Sequence, residues 1–130
     1  MRIVSLIARV LLGIAFVMFG LNGFLHFIPT PPMPPSAATT FFEAIVVQSH
    51  FAYFIFGAQL LAGLLVLIDQ YLPFALVMLG AIIANILAFH ITMQLSSIPP
   101  ALVVTVLWFL AAMPLRSHFA LLFTRKVIGV

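Results

Sequence analysis

Four long apolar runs, separated by short polar or proline-rich breaks, make up most of the chain, and each is near the roughly 20 residues that a helix needs to cross a bilayer. The first, at about 10–27, reads "VLLGIAFVMFGLNGFLHF". The second covers about 51–68, and the third opens at Pro73 and continues to about 94. The fourth opens at Pro99 and Pro100 and covers about 99–115. Proline suits a first helical turn, whereas Pro114 should kink or end the last run. The pattern predicts an all-α, polytopic membrane four-helix bundle, organised as a single domain over 1–130.

The breaks add detail to this outline. Prolines 29, 31, 32, 34 and 35 stiffen the first connection into extended geometry. Thr40 followed by Glu43 is a capping-box pattern, which predicts a short interfacial helix over "TFFEAIVVQ" in this first external loop. Arg2 and Arg9, seven residues apart, fit a surface segment ahead of the first span. The first apolar run is longer than the roughly 7–15 residues of a signal-peptide core, so it is expected to be a retained span.

Composition moves the reading further from a soluble protein. Hydrophobic residues are 65% of the chain and charged ones 5%, far from the soluble average. The net charge of +3 arises from only five Lys and Arg against two acids. The high pI therefore reflects scarce carboxylates, and no nucleic-acid surface is implied. Without cysteine there is no thiol chemistry and no thiolate metal site. All five cations lie in the terminal segments, which by the positive-inside rule places both termini in the cytoplasm and the proline loop outside. Asp69, in the turn "DQYL", is expected to be a solvated turn residue.

Few polar side chains interrupt the spans: Asn22, His26, Gln59, Asn85, His90 and Gln94. Counted at about 1.5 Å per residue, they all fall toward the outer side. Asn22, Gln59 and Asn85 are expected to converge inside the bundle, with His26 closing the site beneath the loop, and with His90 they form the candidate ligand-binding set. His90 lies about 140° around the helix from Asn85 and shares a face with Gln94. Small-residue stripes at Gly20 and Gly23, Ala58 and Ala62, and Gly80, Ala84 and Ala88 mark expected packing seams. The amides serve equally well as interhelical glue, worth about 0.6 kcal/mol per contact, and the histidines can snorkel to the interface. The methionines are read as packing, and no metal site is expected.

The stretches "RVLLGIAFVMFGLNGFLHFIP", "AQLLAGLLVLID" and "NILAFHITM" together resemble the DoxX-like family of small four-helix bacterial membrane proteins. The resemblance implies a bacterial inner-membrane location and a relation to membrane subunits of thiosulfate:quinone oxidoreductase. It aligns Gly20–Phe27 with the family's first-helix motif, and Asn85, Phe89 and His90 with its third. Gln59 stands where the family commonly has glutamate, which removes the one candidate membrane carboxylate.

Two functions follow as expectations. One is a non-catalytic integral membrane subunit or scaffold in a redox or respiratory complex, its partners being the lipid bilayer and other membrane subunits. The other is a quinone-binding redox subunit using the polar set as hydrogen-bonding groups. Haem ligation by His26 and His90 is a weaker variant, because both rings must meet across one macrocycle. A small proton-coupled transporter is disfavoured without an intramembrane acid.

Overall fold

The structure is a computed structural model and describes residues 1–129. It is helical, with elements α1 (Arg2–Leu25), α2 (Ala37–Phe42), α3 (Ala52–Leu67), α4 (Leu72–Met93), α5 (Pro99–Ala112) and α6 (Arg116–Ala120). A π-helical turn over Glu43–Gln48 continues α2, and a 3-10 turn at Met113–Leu115 carries α5 into α6. The four long helices form a closed ring of neighbours, in which α1 packs on α3, α3 on α4, α4 on α5 and α5 on α1. Leu12 and Phe16 from α1, Val66 from α3, and Leu76 and Leu79 from α4 fill its centre.

Three segments are long and apolar enough to cross a membrane: Arg2–Leu25, Leu72–Met93 and Pro99–Phe123. The count rises to four if Ala37–Gln48 and Ala52–Leu67 are taken as one span bent by 85°. The outward faces carry many large apolar side chains. Ile3, Ile7, Val10 and Ile14 of α1 and Val103, Val106 and Phe109 of α5 are all exposed. Such a surface is unfavourable in water and suited to lipid.

The tightest seam is α1 against α3. A Cβ added at Gly20 would lie 2.8 Å from the backbone nitrogen of Leu60, and one at Gly63 would lie 2.9 Å from that of Val17. The helices therefore approach backbone to backbone, as small-residue seams permit. On α4 the expected stripe is only partly used. Gly80 receives the indole of Trp108, while Ala84 and Ala88 are exposed. Residues at i and i+4 drift by about 40° per step on a straight helix, so the stripe turns out of the seam.

Two local expectations are corrected, and a third gains a partner. Helix α1 starts at Arg2 rather than Val10, so Arg2 and Arg9 belong to the long helix and not to a separate surface segment. Arg9 is largely buried there and forms an ion pair with Asp69, which is the solvent-exposed turn residue expected and in addition tethers α1 to the α3–α4 turn. The loop helix is capped by Ser36, whose Oγ accepts from the Thr39 N–H at 3.2 Å, and not by Thr40 with Glu43. The Thr40 hydroxyl instead donates to the Ser36 carbonyl at 3.0 Å. Ser36 captures the cap because it sits immediately after the proline run, in extended backbone, as an N-cap requires.

Candidate functional site

The α2 segment and its π-helical continuation turn by 85° from the axis of α3 and lie across one end of the bundle. Phe41 of this cover meets Phe89 of α4, with ring centroids 5.7 Å apart. Between cover and helix runs a groove of about 490 Å³, within the roughly 300–1,000 Å³ range of small-molecule sites. Phe41, Phe42, Ile55, Ile82 and Ile86 supply apolar walls, and Asn85, His90 and Thr92 supply the polar groups.

Each of these polar side chains is anchored to its own helix four residues back. The Asn85 Nδ2 donates to the Ala81 carbonyl at 2.9 Å, and the Thr92 hydroxyl donates to that of Ala88 at 2.7 Å. His90 Nδ1 lies 2.8 Å from the Ile86 carbonyl. A carbonyl only accepts, so Nδ1 carries the proton and the neutral ring has Nε2 as an acceptor. Asn85 retains one amide N–H and its Oδ1 lone pairs. The groove thus offers one free donor, on Asn85, and acceptors on Asn85, His90 and Thr92, in apolar surroundings, which suits a flat ring bearing a carbonyl or a hydroxyl. The 140° separation of Asn85 and His90 does not keep them apart, because the groove wraps around the flank of α4 and both line it.

The rest of the expected set lies elsewhere. Gln59 is buried in the bundle at 7% exposure, on the stretch of α3 that includes Phe56 and Gly63. Asn22 completes the exit of α1, since its Oδ1 accepts from the Ile28 N–H at 2.7 Å. That bond fixes the turn from the helix into the proline loop. His26 is the left-handed C-cap of α1, with φ 52°, and is exposed. The helix that carries Asn22 therefore ends before His26, and the two do not extend one helical stripe. Gln94 reaches the proline loop, with its Nε2 3.7 Å from Met33 Sδ. No group of three His, Cys, Asp or Glu able to hold a metal ion occurs among the described residues.

Two features escape a count of amides and imidazoles. Trp108 donates its indole N–H to the Leu76 carbonyl at 2.7 Å, joining α5 to α4. A lone indole in an apolar helix needs an acceptor, and that was the available signal. The phenylalanines of the cover are the second, because a sequence of apolar residues does not disclose which of them face a groove.

No known family model, curated protein or solved structure matches this chain.

Proposed function

We propose that the protein is a non-catalytic integral membrane subunit that holds a lipid-soluble quinone or quinol head in the groove between α2 and α4. The groove carries this reading: an apolar slot of about 490 Å³ lined by Asn85, which keeps a free amide hydrogen, and by His90, whose Nε2 is left to accept. Asn85 would donate to a ring carbonyl, and His90 would accept from a ring hydroxyl. The chain itself would bind and orient the ring, and a partner subunit of a redox complex would supply the electron transfer. The resemblance to DoxX-like proteins, with their link to quinone-dependent assemblies, supports this choice among flat amphiphiles.

Replacing Asn85 with leucine keeps the helix apolar and removes one hydrogen bond of about 1 kcal/mol. Binding of a short-chain quinone to the protein in nanodiscs should weaken about fivefold. Unchanged affinity would place the ligand elsewhere or show that none binds.

We also propose that the protein lies in the inner membrane of a bacterium, with both termini cytoplasmic and the α2 cover outside. All five Lys and Arg lie toward the end of the bundle away from the cover, and this asymmetry supports the orientation. Membrane-impermeant thiol labelling of Ser36→Cys in intact spheroplasts should succeed, and that of Ser117→Cys should need permeabilisation. The reverse pattern would invert the topology.

A further inference from the structure

At the end of the bundle opposite the cover, α5 and α6 border a second, open slot of about 370 Å³. Trp108, Phe109, Met113, Phe119 and Phe123 line it, and Arg116 is the one charged group at its wall. The Trp108 ring stands edge-on to Phe109 at 5.2 Å and lies 6.3 Å from Phe119, so the floor is a continuous aromatic surface. Along the apolar segment Pro99–Phe123, Trp108 lies nearer the middle and Arg116 nearer the C-terminal end.

Charge at this end is unbalanced. Arg9 is matched by Asp69, and that is the one salt bridge among the described residues. Among the described residues Arg2, Arg116, Arg125 and Lys126 have no carboxylate partner, and the other acidic side chain, Glu43, lies in the cover at the far end. An apolar trough that ends at an unpaired guanidinium is complementary to a molecule with an acyl chain and a phosphate. Arginine matches phosphate well because its planar fork can donate two parallel hydrogen bonds.

We propose that this slot is a binding site for an anionic phospholipid, with one acyl chain against Trp108 and Phe119 and the phosphate on Arg116. The site is separate from the α2–α4 groove and rests only on the reading that the chain lies in a bilayer. Arg125 and Lys126 add a diffuse attraction at the surface, and Arg116 supplies the fixed contact.

Trp108 is the single tryptophan of the chain and lines the slot, so its fluorescence reports occupancy directly. The full-length protein would be placed in phosphatidylcholine nanodiscs that contain a small fraction of brominated lipid. Brominated phosphatidylglycerol should quench Trp108 as if enriched about fivefold at the slot relative to brominated phosphatidylcholine, the worth of one cation near the surface. Arg116→Gln should bring the two lipids to parity, while Arg116→Lys retains part of the preference. Equal quenching in the native chain would overturn the proposal, as would a preference that survives Arg116→Gln or one that disappears only in the Arg125→Gln, Lys126→Gln double variant. Should Arg116→Gln fail to fold, competition on the native chain decides alone. Unbrominated phosphatidylglycerol should relieve the quenching, and inorganic phosphate at millimolar concentration should not. Relief by phosphate would assign the site to a soluble anion and overturn the lipid.

Discussion

Gly63→Leu is expected to destabilise the bundle by about 3 kcal/mol, the upper end of the cost of overpacking. The reason lies in what surrounds the position. A first side-chain carbon there would already sit 2.9 Å from the Val17 nitrogen and 3.2 Å from the Gly13 carbonyl oxygen, both backbone atoms that cannot swing aside. Relief requires α1 and α3 to separate, and that separation opens the contact at Gly20, where Leu60 approaches in the same manner. Gly57 provides the control on the same helix, because its nearest neighbour is the tip of the Phe24 ring at 4.0 Å. Gly57→Leu should be neutral or slightly stabilising, since a mid-helix glycine costs about 1 kcal/mol in propensity. Unfolding by denaturing detergent, followed by circular dichroism, compares the two. Equal midpoints for the variants would mean that α1 and α3 do not pack as described.

Much of this arrangement was legible in the sequence, for physical reasons. Periodic burial in a helical membrane protein uses small residues, so the glycines of α1 and α3 announce their seam, and prolines 73, 99 and 100 announce the starts of α4 and α5. The all-helical character and the apolar lengths follow from composition. The facing of the polar side chains was not legible. Asn22 was expected to aim into the bundle and instead secures the turn that leaves α1, a role set by the backbone of Ile28 six residues on. Asn85, expected to meet it, opens onto the groove beneath Phe41 and Phe42. A four-residue period places residues on a face but does not say which neighbour that face meets. That depends on the 85° turn between cover and α3, which no local signal encodes.

The same limitation hid the role of Trp108, whose replacement carries the second large effect. Trp108→Ala should cost about 3 kcal/mol, toward the lower part of the range for losing a large aromatic side chain, because the ring is only half-buried. Two contributions can be separated. The ring covers Gly80, where an added Cβ would stand 3.1 Å from it, so its removal leaves a void between α5 and α4. Its N–H also donates to the Leu76 carbonyl, whose other lone pair serves the α4 helix bond to Gly80. Trp108→Phe keeps most of the ring and loses only that donor. Because the carbonyl keeps its helical partner, this variant leaves no buried group unpaired and should cost about 1 kcal/mol. Circular dichroism during detergent-induced unfolding reads both variants without relying on the lost fluorophore. A phenylalanine variant as unstable as the alanine one would make the hydrogen bond, rather than the packing on Gly80, the principal link between α4 and α5.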